Sequence, residues 1–208
     1  MNFPNIIADE QELRDLIGHP GLLVQNKTID HLDQHCRDFL AMSPLLLLST
    51  ADETGACDVS PRGDQPGFVK VLDEKRLLIP ERPGNRRADT LLNLLANPQV
   101  GMLFLIPGLE ETLRINGRAC IVRDQELLEQ MAAHEKVPLL AIGVEVEECF
   151  MHCAKAFKRS KLWQPDAWPA PSTLPSPARI IADHVKLPDI GEAEVKKSLH
   201  ESYTQRLY

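Results

Sequence analysis

Between Leu45 and Val146 the chain is a succession of short runs that are apolar throughout or alternate polar with apolar residues. They are Leu45–Thr50, the segment around Cys57–Ser60, Phe68–Leu72, Arg76–Pro80, Val100–Ile106, Thr112–Val122 and Leu139–Val146. Asp52-Glu53-Thr54-Gly55 and Asp73-Glu74-Lys75 are turn sequences, and turns that short join antiparallel strands. Parallel strands need crossovers of about a dozen residues or more, usually helical. One clear helical stretch, 86–96, interrupts the series, and Asn97-Pro98 stops it. Six or seven strands with one mid-sheet helix predict a mainly β fold with helical additions, a small β-barrel and not a βαβ fold.

Within that series Val100–Ile106 is almost wholly apolar and is expected to be central. Thr112–Val122 alternates, with Leu113, Ile115 and Gly117 on one face and Arg114, Asn116 and Arg118 on the other. Helical spacing predicts helices over 9–17, 27–42, 124–133 and, after the last strand, near 152–161. Residues 164–178 carry Pro165, Pro169, Pro171, Pro175 and Pro177 and read as a loop or arm; 189–208 reads as one helix. The expected division is a helical extension over 1–42, the barrel over 43–163, and a Pro-rich arm with a helix over 164–208.

Pro80-Glu81-Arg82-Pro83-Gly84-Asn85-Arg86-Arg87 leads straight into the helix at 86–96. A helix N-terminus favours anions, so arginines in its first turn call for an anionic partner. Phosphate suits the guanidinium fork. Lys70, on the neighbouring hairpin strand, and Arg62, in a Gly/Pro-rich loop, converge on the same place in this reading. The alternative is a solvated surface in which these cations face Glu81 and Asp89. The formal net charge of −7 argues against general nucleic-acid binding and makes this basic cluster a local feature.

Two further groups carry chemistry. Thr112, Arg114 and Asn116 could present a polar strand face to a ligand, or form an ordinary half-solvated one. The block Cys149–Trp163 holds five basic residues, counting His152, and ends in a tryptophan able to flank a planar group. Cys149, His152 and Cys153 lack the second Cys/His pair that structural zinc needs, so no metal is expected. Five scattered cysteines read as reduced thiols. No run approaches the roughly 20 apolar residues of a membrane span. The start of the chain has no basic-then-apolar leader, and a cytoplasmic protein is expected. No G-x-S-x-G, G-x-G-x-x-G or Walker motif is present, which leaves a phosphate-bearing ligand without obvious acid–base machinery. That combination suits a protein whose cofactor performs the chemistry.

Lys70-(x9)-Pro80-Glu81-Arg82-Pro83-Gly84-Asn85-Arg86-Arg87-Ala88-Asp89, Asn97-Pro98-Gln99-Val100, Leu113-Arg114-Ile115-Asn116-Gly117-Arg118-Ala119 and the block His152–Trp163 together resemble the pyridoxamine 5′-phosphate oxidase-like superfamily, in a bacterial branch of FMN-dependent proteins. The resemblance covers roughly residues 35–165. It implies a split β-barrel that pairs as a homodimer with two flavin sites in the interface. It places the phosphate lysine at Lys70, backbone contacts to the flavin at Ile79 and Pro80, and the phosphate grip at Asn85, Arg86 and Arg87. The position reaching the ring falls at Thr112, where the oxidases use an amide. Ser160 and Trp163 are the candidates to flank the flavin from the partner subunit. The oxidases' substrate-binding arginine and tryptophan have no match in the tail, which argues against pyridoxamine phosphate as substrate.

The expected function is that of an FMN-dependent oxidoreductase taking a hydride from a reduced nicotinamide or a small substrate, with Arg114 as a charge near the ring. A non-catalytic flavin or phosphorylated-ligand binder is the alternative. A haem-binding split barrel, with His152 as axial ligand, is a third.

Overall fold

The computed structural model describes residues 3–208. Seven antiparallel strands form one sheet: β1 (Leu45–Ala51), β2 (Cys57–Gly63), β3 (Lys70–Val71), β4 (Arg76–Pro80), β5 (Gln99–Leu105), β6 (Thr112–Val122) and β7 (Ala141–His152), in the order β2-β1-β5-β6-β7-β4-β3. This is the split β-barrel that the sequence led us to expect, with β2 and β3 at its two ends. No ladder joins those ends among the described residues. Two ion pairs, Arg62–Glu81 and Arg82–Asp64, tie the end of β2 to the end of β4 instead.

Alternation sets the core. On β1, Leu46 and Leu48 point inward, and β5 adds Met102 and Phe104, β6 Leu113 and Ile115, and β7 Ile142, Val144 and Val146. Each such side chain, fully buried, contributes about 1.5–3 kcal/mol. β5 lies between β1 and β6, as its apolar run predicted.

Eight α-helices accompany the sheet among the described residues: α1 (Glu10–Ile17), α2 (Leu22–Asn26), α3 (Gln34–Met42), α4 (Asp89–Ala96), α5 (Gln125–Glu129), α6 (Lys155–Ser160), α7 (Pro177–Val185) and α8 (Glu192–Gln205). The helix predicted over 27–42 starts only at α3, where the Asp33 side chain accepts the Cys36 amide at 2.8 Å. The residues before it serve β7. That strand runs on to His152, whereas β4 pairs with it only from Ala141 to Glu145. Its uncovered edge is met by Ile29, which exchanges backbone hydrogen bonds of 3.0 and 2.7 Å with Cys149. Lys27 Nζ donates to the Met151 carbonyl nearby, at 2.8 Å.

Other boundaries shift for local reasons. β7 takes up residues through 152, so the helix expected near 152–161 shortens to α6. The strand expected over 68–72 keeps only Lys70 and Val71 in ladder. α7 begins inside the proline-rich stretch, with Ser176 capping the Arg179 amide and Pro177 in the first turn, where its missing N–H costs nothing.

The β6–β7 hairpin carries one irregularity. Asn116 pairs with Glu148 and Gly117 with Val146, so Glu147 is an extra residue on β7. A bulge there bends the hairpin. Gly117 sits against it, with no room for a side chain.

Candidate functional site

β4 has a partner in β3 only at Leu77 and Leu78. Past that point the same edge of β4, at Ile79 and Pro80, carries no strand. Both side chains are buried, and strand alternation turns the Ile79 amide and carbonyl into the ladder with β7, so the Pro80 carbonyl is the backbone group left on that edge. Lys70 lies opposite Leu78, exposed, at the rim of a cavity of about 330 Å³ shared with Phe68, Arg82, Gln130 and His134.

The arginines of the neighbourhood have different fates. Arg62 is not in a loop: it lies on β2, half-buried, bound to Glu81 and donating to Ser60 Oγ at 3.3 Å. Arg82 donates to Asp64 at 2.7 Å, a carboxylate whose side chain is only 3% exposed. These two therefore have internal anionic partners, and the expectation that Arg62 and Arg82 await an external one is corrected. Arg87 reaches Asp89 at 2.5 Å, and its amide donates to Asn85 Oδ1 at 3.0 Å. Arg86 is exposed and, like Lys70, has no carboxylate partner among the described residues.

Arg86 and Arg87 also lie before the helix and not in its first turn. α4 opens at Asp89, the acid that its dipole favours. Arg86 (φ 63°) and Ala88 (φ 59°) hold left-handed conformations unusual for residues with a side chain. Ala88, at the cap position, offers no side-chain acceptor, which leaves the first amides of α4 uncapped beside the two arginines.

The other expected contacts lie elsewhere. Thr112, at the start of β6, is buried and pairs with His152. Arg114 is exposed and stacks over Phe150, 5.4 Å from the ring centre. Ser160 caps its own helix by donating to the Phe157 carbonyl at 3.1 Å. Trp163 donates from Nε1 to the Leu109 carbonyl at 2.9 Å and stacks on Phe157. Cys149 points into the core, away from exposed His152 and Cys153.

In one chain these residues form two separate groups. Pro80 pairs with Ala141 and Ala141 with Val122, whereas Thr112 is at the other end of β6. Ten residues of extended strand span about 30 Å. Lys70, Ile79 and Pro80 thus sit near one end of the β6–β7 ladder, and Thr112 and Arg114 near the other.

The sequence reading missed a third element, the contribution of Tyr208. Its hydroxyl donates to Asp64 at 2.8 Å, its ring lies beside Arg82 and packs tilted against His134 with ring centres 4.2 Å apart, and its carbonyl accepts from Lys136 at 2.6 Å. Burial alone would raise the Asp64 carboxyl. The Tyr208 hydroxyl, the Gln65 amide and the Arg82 guanidinium outweigh it and hold the group below its ordinary value. The same bond pushes the Tyr208 phenol up. A raised phenol contributes stability that is complete below its unfolded value near 10 and fades as pH climbs through the folded one. Tyr208→Phe is therefore expected to cost about 1 kcal/mol in urea unfolding at pH 7. The gap between the two proteins is expected to narrow above pH 10, and a gap that stays constant would show that the hydroxyl does not make this contact.

A family model described as pyridoxamine 5′-phosphate oxidase matches residues 32–153, more than half of the chain. No curated protein matches. Among solved structures, HupZ of Group A Streptococcus is 20% identical, with a TM-score of 0.47 over 57% of this chain and 92% of that one. An FAD-binding protein of Mesorhizobium loti is 17% identical (TM-score 0.42, 61% and 97% covered). HutZ, the haem storage protein of Vibrio cholerae, is 18% identical (TM-score 0.41, 58% and 93% covered). The matched segment runs from α3 to the end of β7 and takes in the whole seven-stranded sheet with its open β4 edge: the chain belongs to the pyridoxamine 5′-phosphate oxidase family.

Proposed function

We propose that this chain is an FMN-dependent oxidoreductase that works as a homodimer in the cytoplasm. One observation carries the reading. In a chain of net charge −7, two cations lack carboxylate partners among the described residues: Lys70, opposite Leu78 beside the open edge of β4, and Arg86, in the turn before the uncapped start of α4. This donor set fits a phosphate dianion. Arg86 and Arg87 offer guanidinium forks, Lys70 a point charge, and Asn85 holds the Arg87 amide in place. The Pro80 carbonyl, on the open edge, suits a donor on the polar edge of a flavin, with Ile79 paired to β7 behind it, and a bound flavin would supply the hydride and electron chemistry. No side chain here is cast as the proton donor.

The homodimer answers the separation of the two groups. Thr112, Arg114, Ser160 and Trp163 of one copy would complete the cradle of the other. An outward strip favours such pairing: Leu47 on β1 has Leu103 on β5 and Pro61 on β2 directly opposite, with exposed Val59 beside them. The donor set does not choose the substrate, which we place among small molecules or reduced nicotinamides.

The test is the absorbance spectrum of the purified protein, with the released chromophore identified by mass, followed by FMN titration of the apo-protein. A flavin spectrum, an FMN mass and a Kd raised about 10- to 150-fold by Arg86→Ala are expected. A Soret band would replace this reading with a haem protein. A colourless protein that takes up no FMN would return the cations to the solvated surface.

A further inference from the structure

Two cysteines that have no part in the proposed flavin site lie side by side inside the barrel. Cys36 Sγ, on α3, is 3.2 Å from Cys149 Sγ, on β7. Both belong to the main core and are 7% and 0% exposed. They stand 113 positions apart in sequence. The sulfurs need approach each other by only about 1 Å to reach a bonding distance of about 2 Å. The other cysteines, Cys57, Cys120 and Cys153, are exposed.

We propose that Cys36 and Cys149 are a redox-modifiable pair that closes to a disulfide under peroxide, stapling α3 to the barrel. The two thiols differ in a way that assigns their roles. Cys36 lies in the first turn of α3, where the Asp33 side chain fixes its amide. A helix N-terminus favours thiolate. The S–H···S contact between the two lowers the Cys36 thiol and raises that of Cys149. Burial and the Asp33 carboxylate oppose the lowering at Cys36 without overturning it. Cys36, the less buried of the two, is the attacking sulfur, and Cys149 is the resolving one.

The chemistry balances with hydrogen peroxide as the only oxidant. The Cys36 thiolate attacks a peroxide oxygen, the O–O bond breaks, the sulfur becomes a sulfenic acid, and the departing hydroxide takes up the proton that the Cys36 thiol had lost, leaving as one water. The Cys149 thiol then displaces the hydroxyl, forming the S–S bond and releasing a second water. Two thiols lose two electrons and two protons, and the peroxide becomes two waters. A reducing dithiol reverses the bond by exchange.

The bond would hold a place that the backbone already marks. Cys149 exchanges both of its backbone hydrogen bonds with Ile29, so the staple would fix the run from Ile29 to α3 along the uncovered edge of β7. It would close a loop of more than a hundred residues in the unfolded chain, the kind of crosslink that raises a melting temperature.

The test uses the full-length chain with Cys57, Cys120 and Cys153 replaced by serine, which leaves only this pair. The folded protein is treated with hydrogen peroxide, quenched, unfolded in an alkylating agent, and weighed whole and as peptides. The expected product has no alkylated thiol, is lighter than the untreated protein by two hydrogens before alkylation, and yields one peptide joining Cys36 to Cys149. It is also expected to melt at a higher temperature than the reduced form and to return to it with a dithiol. Two alkylated thiols after treatment, sulfinic acids on separate peptides, or a crosslink formed only when the chain is unfolded would each overturn the proposal. Cys149→Ser, treated alike, is expected to stop at sulfenic acid on Cys36, trapped by dimedone. Absence of that adduct in a folded variant would overturn the assignment of roles.

Discussion

Gly117→Ala is expected to destabilise the protein by about 3 kcal/mol or more, at or beyond the upper end of what overpacking usually costs. A β-carbon at this position would stand 2.0 Å from the Glu145 carbonyl oxygen, 3.0 Å from its carbon and 3.2 Å from Val146 Cα. All three are backbone atoms, and they are not free to retreat. Glu145 is paired on its far side with Arg76, and the Val146 amide donates to the Lys75 carbonyl at 2.7 Å. β7 is thus clamped from both edges where it bulges, and β6 can pass only as bare backbone. Gly143→Ala is the matched control: there the nearest atom is a Val122 methyl at 2.8 Å, on a side chain that can turn. We expect that substitution to cost less than half as much. Urea unfolding of the two variants decides the matter. A Gly117→Ala protein within about 1 kcal/mol of the parent would mean that the bulge yields and does not fix the hairpin.

This glycine shows what the sequence conveys and what it withholds. The alternation of Thr112–Val122 marked β6 with the bounds it has in the fold, and the apolar run of Val100–Ile106 marked a central strand, because side-chain periodicity is a local property. The extra residue Glu147 on the partner strand leaves no local trace, so the close approach at Gly117 was invisible. Residues 27–33 failed for a related reason. Ile29 and Leu32 are spaced to suit a helix, but the free edge of β7 claims Ile29 through its backbone, and that demand comes from residue 149. Pro61 made its surroundings look like a loop. It lies on β2, the last strand of the sheet, where an amide lost on the outer side breaks no ladder bond.

The candidate site divides along the same line. The chemistry of the basic run was readable from its residue types: guanidinium groups, a lysine across a hairpin and a turn before a helix. The pairings were not, because Asp64 and Glu81 reach Arg82 and Arg62 from 18 and 19 positions away. Nor did spacing reveal that Tyr208 would hold the same Asp64. The separation of the cradle from Thr112 and Arg114 depends on the order β6-β7-β4 and its register, which is a property of the whole sheet.

That separation leads to the second large effect, complementation between damaged subunits. Arg86→Ala/Arg87→Ala removes two of the charges proposed for the phosphate grip; at about 1.5–3 kcal/mol for each charge-assisted contact, FMN affinity is expected to fall at least 100-fold. Arg114→Glu damages the other group by placing a carboxylate where the partner's flavin would lie, and is expected to weaken binding as well. Neither substitution touches the core: all three arginines are exposed, and Arg114 loses only its stacking on Phe150 and a 3.3 Å hydrogen bond to Asn116. When the two variants are unfolded together and refolded as a mixture, the mixed dimers would contain one site built from two intact groups and one built from two damaged ones. Half of the sites in each mixed dimer should then bind FMN with parental affinity, giving a tight phase in a titration that neither variant shows alone. If each chain formed its site by itself, mixing would restore nothing, because every chain in the mixture carries one of the two lesions. A restored phase that grows with the fraction of mixed dimer therefore reports on the assembly and on the placement of both groups at once.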